Sequence, residues 1–116
     1  INPDEAIIYY NKGLAENSLK NYSEAEKNFD RAIELNGYYI EAYFDRSVSK
    51  IFLGNYHGAI VDLNFAIKLN PKYAEAYINR GVARLNTNDK EGACEDAKQA
   101  QKLGYNASQL TKLACD

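Results

Sequence analysis

The hydrophobic pattern of this chain is that of amphipathic helices joined by short polar turns. One representative helix carries its apolar residues on one face: Tyr43, Phe44, Val48, Ile51 and Phe52. Gly54-Asn55 interrupts that helix, and a second apolar series then continues to Leu69. Asn70-Pro71 ends the second series, because the residue before a proline is pushed out of the helical region. The pattern therefore predicts a helical hairpin.

This hairpin recurs with a period of 34 residues. A shift of 34 positions superimposes Tyr9, Tyr43 and Tyr77, together with four further rows of small or apolar residues. Those rows are Gly13, Ser47 and Gly81; Ala25, Ala59 and Ala93; Ala32, Ala66 and Ala100; and Leu35, Leu69 and Leu103. A fixed period of this length indicates stacked units that share one continuous core. We call segments 6–39, 40–73 and 74–107 units 1, 2 and 3.

The pattern predicts seven helices and no sheet. The predicted spans are 4–18, 22–35, 38–52, 56–69, 72–86, 90–103 and 107–114. The last of these lies in a capping segment, 107–116, whose Leu110, Leu113 and Ala114 should face inward. Asn2-Pro3 lies two periods before Asn70-Pro71, so residues 1–5 are expected to be the tail of a preceding repeat. The expected core is Ala25, Phe29, Ala32, Tyr43, Ala59, Leu63, Ala66, Ala93 and Ala100.

The units resemble the tetratricopeptide repeat family. Each has an aromatic residue at position 4, a small residue at position 8 and alanines at positions 20 and 27. Position 24 is Phe29 and then Leu63, but it is Ala97 in unit 3, which we attribute to the polar outer face of a terminal repeat. The resemblance implies that 1–116 is one all-α domain, a right-handed superhelix of three repeats and a capping helix, acting as an interaction module or scaffold.

Composition narrows the possible chemistry. The formal net charge of −2 disfavours a nucleic-acid-binding surface. His57, Cys94 and Cys115 are too few for a four-ligand zinc site, and no motif sets a nucleophile beside a base. No apolar run has the length of a membrane span. We therefore expect no enzymatic activity, no cofactor, no metal and no transmembrane helix.

The resemblance also implies a concave groove for partner peptides, lined by the first helix of each unit. Its expected lining is Tyr10, Asn11 and Leu14, with Ile7 and Asn17; Glu41, Phe44, Asp45, Val48 and Phe52; and Glu75, Ile78, Asn79 and Val82, with Asn86. Two names are used below: the apolar stripe is Tyr10, Leu14, Phe44, Val48, Ile78 and Val82, and the polar ladder is Asn11, Asp45 and Asn79. The stripe would anchor a peptide and the ladder would bond its backbone. Alternatively, the stripe packs between helices and water solvates the ladder.

The charges of this surface suggest an apolar or basic partner segment. Family members that bind the acidic C-termini of heat-shock chaperones use Lys, Asn and Arg where this chain has Tyr10, Leu14, Asp45, Glu75 and Asn79. Glu41, Asp45 and Glu75 repel a carboxylate, so we expect that a chaperone C-terminal carboxylate is not a partner. Two alternatives stay open, an RNA-binding helical repeat and self-association through the apolar stripe into a homo-oligomer.

Charged residues also recur across each hairpin. Lys12, Arg46 and Arg80 share position 7, and Asn28, Asp62 and Asp96 share position 23. Both positions are equally far from the turn at position 15, so they should face each other. Ion pairs within each hairpin are the favoured interpretation, and a basic strip for phosphate is the alternative.

Cys94 and Cys115 lie symmetrically about the turn at Gly104-Tyr105-Asn106. In an antiparallel hairpin they stand at the same height, and a disulfide between them is possible if their faces match. The alternative is that both thiols are free. A bridge would favour an extracytoplasmic compartment, and otherwise we expect the cytoplasm.

Overall fold

A computed structural model describes residues 3–115. Within that range the protein has seven helices and no strands: α1 Pro3–Ser18, α2 Tyr22–Leu35, α3 Ile40–Phe52, α4 Tyr56–Leu69, α5 Ala74–Asn86, α6 Lys90–Lys102 and α7 Ser108–Ala114. Consecutive helices pair into three hairpins, and α7 packs against α6 and α5. The hairpins stack into an elongated helical-repeat superhelix of 47 × 25 × 20 Å, as the period predicts.

The helix boundaries differ from the predicted ones where a side chain competes with the backbone. Helices α3 and α5 begin two residues later than predicted. The Oδ1 atoms of Asn36 and Asn70 accept hydrogen bonds from the amides of Tyr38 and Lys72, both at 3.1 Å, and these Asx turns delay the helix. The expected tail of a preceding repeat at residues 1–5 stays a prediction, and the structure shows only that α1 begins at Pro3. Residues 1 and 2 of that tail lie outside the described residues.

The core consists mainly of small residues, with a few large apolar side chains among them. Every predicted core residue is fully buried except Tyr43, which is half-buried because its hydroxyl reaches out to donate to the carbonyl of Gly37 at 3.0 Å. The largest fully buried apolar side chains are Phe29 and Leu63. The alanine rows let helices approach closely, and a larger side chain there would overpack the contact.

In unit 3 the space over the small residue of the first helix is filled by a residue from a different helix than in unit 1. In unit 1 the ring of Phe29 lies directly over Gly13, where a Cβ would overlap it. In unit 3 Leu110 of α7 fills the equivalent space, since a Cβ on Gly81 would lie 2.5 Å from its Cδ2. Ala97 is fully buried beneath it, so our attribution of this alanine to a polar outer face was wrong.

The predicted ion pairs across the hairpin are confirmed in units 2 and 3. Arg46 binds Asp62 at 2.7 Å, and Arg80 binds Asp96 at 2.7 Å. Arg46 also reaches Asp30 of unit 1 at 2.9 Å, so the cluster joins neighbouring units. Burial alone would lower the pKa of Arg46, but its bonds to these two carboxylates raise it above the ordinary value.

The C-terminal end of the stack is closed covalently. In the structure a disulfide joins Cys94 of α6 to Cys115, the residue that follows α7, with their Cα atoms 5.0 Å apart. Of the residues expected to face inward from α7, Leu110 and Ala114 are buried, whereas Leu113 is 56% exposed. Leu113 instead forms part of a surface cavity between α5 and α7.

Candidate peptide-binding groove

Two adjoining apolar cavities lie along α3, α5 and α7. The smaller, about 190 Å³, is lined by Val48, Ile51, Phe52, Asn79 and Val82. The larger, about 350 Å³, lies between α5 and α7, and its walls include Ile78, Val82, Leu85 and Leu110. Because Val82 borders both, they form one continuous groove on the face that bears the second half of the apolar stripe.

The apolar stripe takes part in helix packing and also leaves surface open. All six of its members are half-buried. Phe44 stacks on Tyr73 with ring centroids 4.9 Å apart, and Tyr10 contacts Tyr39 at the same centroid distance. The predicted lining residue Phe52 is 63% exposed and stacks on Tyr22 at 4.5 Å. Packing between helices therefore accounts for part of the stripe, and its role in anchoring a peptide stays a prediction.

The polar ladder does not have three equivalent rungs. Asn11 is exposed, whereas Asp45 and Asn79 are half-buried. The Tyr10 hydroxyl donates to Asp45 Oδ2 at 2.6 Å, so this carboxylate is already bonded within the protein. Asn79 lies in the wall of the smaller cavity.

A second polar contact fixes α1 against α3 and was missed from the sequence. The buried Ser49 hydroxyl donates to Asn17 Oδ1 at 2.8 Å, and Asn17 Nδ2 donates to the carbonyl of Asp45 at 3.4 Å. Asn17 was expected in the groove lining but contacts the next unit instead. The only indication of this contact in the sequence is that a serine and an asparagine lie about one period apart.

Negative charge lies beside the groove rather than in its lining, since Asp45 is one helical turn before the lining residue Val48 on α3. Burial raises the pKa of Asp45 above its usual value, the bond from Tyr10 lowers it, and Glu41 raises it again, with a net increase. Burial also raises the pKa of Tyr10, and the Asp45 carboxylate adds to that shift. Tyr10 therefore stays protonated and donates. Glu41 and Glu75 are exposed on the same surface, where they add to the negative field.

The described part of the chain contains neither a candidate metal site nor a candidate membrane helix. Within residues 3–115, no three His, Cys, Asp or Glu side chains lie close enough together to hold a metal ion. Over the same range, no helix combines the length and the apolar character that crossing a bilayer requires. The described residues therefore form an open groove with an apolar floor and acidic residues around it.

Comparisons with known proteins place this arrangement among tetratricopeptide repeats. Tetratricopeptide repeat models match residues 6–39 and 74–103, and a TPR repeat model matches residues 53–88. The first TPR of Spaghetti (RPAP3), bound to the HSP90 peptide SRMEEVD, is 26% identical, with a TM-score of 0.92 over 97% of this chain and 93% of that chain. A search of curated protein sequences found no match.

Two further solved structures share the fold at lower identity. The second TPR domain of human RPAP3, in complex with the HSP70 peptide SGPTIEEVD, has a TM-score of 0.91 and 23% identity over 99% of this chain and all of that one (100%). The TPR2B domain of yeast Sti1, in a complex with Hsp70, has a TM-score of 0.87 and 22% identity, covering 95% of this chain and 93% of that chain.

These structures correct the expectation about partners. We expected an apolar or basic segment and excluded a chaperone C-terminal carboxylate, but the two RPAP3 domains are bound to the acidic chaperone peptides SRMEEVD and SGPTIEEVD. The exclusion rested on the residue types at five positions and on the repulsion expected from three carboxylates. Charge complementarity governs association rate and specificity more than affinity, which a few apolar anchors carry. Three carboxylates beside an apolar groove are therefore not sufficient grounds for excluding an acidic peptide.

Proposed function

Since this chain belongs to the tetratricopeptide repeat family, we propose that it is a protein-interaction module whose concave groove binds an extended peptide of a partner protein. The observation that carries the proposal is the continuous apolar groove formed by the cavities of about 190 and about 350 Å³. We assign no catalytic step to it, because the half-buried ionisable groups beside it, Asp45 and Tyr10, are bonded to each other.

The ligand class that we propose is an acidic chaperone peptide, of the kind bound by the similar domains. Its apolar side chains fill the cavities around Val48 and Val82. Asn79 and Asn86 line those cavities, and their amides are placed to bond the extended backbone of the peptide. In this arrangement apolar contacts supply the affinity.

The charges beside the groove oppose the binding of such a peptide. They determine in which direction binding should change with salt concentration and with pH. Glu41, Asp45 and Glu75 all repel an acidic ligand. Because salt screens the repulsion, binding should strengthen with rising salt, whereas binding through a basic clamp would weaken. Protonation of Asp45, whose pKa is raised mainly by burial, removes one opposing charge, so binding should also strengthen as the pH falls through that pKa.

Fluorescence anisotropy with the labelled peptide SRMEEVD tests the proposal. Val82→Ala removes apolar surface from both cavities and should weaken binding by roughly three- to tenfold. Asp45→Asn removes an opposing charge and should strengthen it. The matched control is Val61→Ala, because Val61 is 66% exposed on α4 and lines neither cavity.

Three outcomes would contradict this function. One is the absence of binding at any salt concentration. Another is an equal effect of Val82→Ala and Val61→Ala, which would place the ligand outside the groove. The third is binding that weakens steeply with salt, which would require a basic contact surface rather than the apolar groove.

A further inference from the structure

We propose that the Cys94–Cys115 disulfide is a redox lock on α7, and that its reduction by a thiol or dithiol reductant releases α7 from the end of the stack. The bond joins α6 to the residue that directly follows α7, so the covalent link and the last turn of α7 are adjacent. Both cysteine residues are half-buried rather than fully buried.

Apart from this bond, α7 is held by its buried Leu110 and Ala114 and by a hydrogen bond from Gln101 Nε2 of α6 to Thr111 Oγ1 at 3.2 Å. It has seven residues, far fewer than an isolated helix needs to be stable, and its N-cap residue Ala107 makes no side-chain cap. Its buried side chains are Leu110 and Ala114, while Leu113 and most of the other side chains are exposed. Because α7 is too short to be stable alone and buries two of its seven side chains, the crosslink should contribute substantially to its docking.

Release of α7 would change the core and the groove together. Leu110 covers Gly81 and belongs to one buried cluster with Tyr77 and Ala97, so its departure would expose that cluster to water. Leu110 and Leu113 also form one wall of the cavity of about 350 Å³. Reduction would therefore open the larger half of the groove, and the consequence for peptide binding rests on the proposed function.

The chemistry is thiol–disulfide exchange. A reductant thiolate attacks one sulfur of the pair, forms a mixed disulfide and displaces the other cysteine as a thiolate. A second reductant thiol then cleaves the mixed disulfide. The protein S–S bond is reduced to two thiols, two reductant thiols are oxidised to a disulfide, and their protons end on the cysteines.

Backbone amide hydrogen exchange of the full chain tests the lock. The protein is measured oxidised and after reduction with dithiothreitol, and free-thiol titration establishes each state. Reduction should accelerate exchange of the α7 amides by about 100-fold, the factor that corresponds to a crosslink across a loop of this size. Amides of α2, at the other end of the stack, should change by less than about twofold.

The double variant Cys94→Ser, Cys115→Ser is the matched control. Its α7 should exchange as in the reduced protein and should not respond to dithiothreitol, with circular dichroism verifying that it is folded. Equal exchange of α7 in oxidised and reduced wild type overturns the proposal, even if the variant fails to fold. A pair of thiols that stays free under mild oxidation overturns it as well.

The peptide titration forms a separate arm. If SRMEEVD binds, reduction should weaken its binding, because the larger cavity loses a wall. If the peptide does not bind in either state while α7 exchange still responds to reduction, the proposed function fails and the redox lock stands.

Discussion

Lys20, Gly54 and Asn88 occupy the same position of the three units, and all have a left-handed backbone. Their φ angles are 63°, 80° and 65°. The turn between the two helices of each hairpin imposes this conformation whatever the side chain. Glycine adopts it freely and asparagine tolerates it, whereas the Cβ of a lysine is crowded, at about 1–2 kcal/mol. The first hairpin therefore contains local strain.

We predict that Lys20→Gly stabilises the protein by about 0.5–1 kcal/mol. The relief of strain exceeds the conformational entropy that glycine loses on folding. Urea denaturation would show this as a higher midpoint at an unchanged slope. The reverse change at the same position of unit 2, Gly54→Lys, should lower the midpoint. If Lys20→Gly were destabilising, the lysine side chain would have to make contacts that outweigh the strain.

Leu110 and Ala97 show at the residue scale where sequence comparison loses information. Ala97 stands where units 1 and 2 have Phe29 and Leu63, so the aligned units show a small side chain in place of a large one. The missing volume is supplied by Leu110, which lies outside the repeat and fits over Gly81. A periodic alignment compares only residues one period apart, so it cannot reveal a substitution made by a different helix.

The second helices of the units differ in how they begin. Asn21, Asn55 and Asp89 are their N-cap residues. Asn55 Oδ1 accepts from the amide of Gly58 at 3.0 Å, and Asp89 does the same for Gly92 at 2.9 Å, but Asn21 makes no side-chain cap. A Cβ on Gly58 would lie 2.5 Å from Asn55 Nδ2. Unit 1 has Glu24 at this position, so its cap cannot close in the same way.

We predict that Asn55→Ala costs about 1 kcal/mol of unfolding free energy, whereas Asn21→Ala costs only a few tenths. The first change removes a real cap from α4, and the second, at the same position of unit 1, removes none. Thermal and urea unfolding of the two variants would measure the difference. Glu24→Gly should restore room for a cap, and Asn21→Ala should then become as costly as Asn55→Ala. Equal costs for the two alanine variants without that change would contradict the explanation.

At the element scale the sequence predicts more of the fold than of the groove. The periodicity of apolar residues predicts the helices. The hairpin ion pairs are predicted because the two charged positions are equally far from the turn. The late starts of α3 and α5 depend on Asn36 and Asn70, whose turn propensity competes with helix formation through a hydrogen bond of known geometry. The larger cavity depends on how α7 leans on α5, which no local pattern specifies. The groove residues named from the sequence stay predictions until a ligand is bound.

At the scale of the whole molecule, stability is a sum over units and the interfaces between them. Units 2 and 3 each contain a buried carboxylate bound by two cations, since Lys50 contacts Asp62 at 3.1 Å and Arg84 contacts Asp96 at 3.0 Å. Unit 1 has Glu16 where those cations stand and Asn28 where the carboxylate stands. Asn28 instead donates to the carbonyl of Glu24 at 3.2 Å, within its own helix.

The strained turn, the missing cap and the missing ion cluster all fall in unit 1, while the disulfide closes the opposite end. We therefore predict that unfolding begins at α1 and α2. Native-state hydrogen exchange should show the lowest protection in these two helices and the highest in α4 and α5, which are packed on both sides. Uniform protection across the described helices would mean that the stack unfolds as one unit.

Introducing the ion cluster of unit 2 into unit 1 tests whether its absence is the reason that α1 and α2 unfold first. Lys12→Arg, Glu16→Lys and Asn28→Asp together give unit 1 the three residues of unit 2. This triple variant should slow exchange in α1 and α2 by roughly fivefold, the effect of about 1 kcal/mol from a partly buried ion pair. Lys12→Arg alone supplies no carboxylate and should change nothing, because the Lys12 ammonium lies over the Tyr9 ring at 5.0 Å and arginine can occupy the same place. If the triple variant exchanges as fast as wild type, the early opening of unit 1 must come from its turn and its cap rather than from the absent cluster.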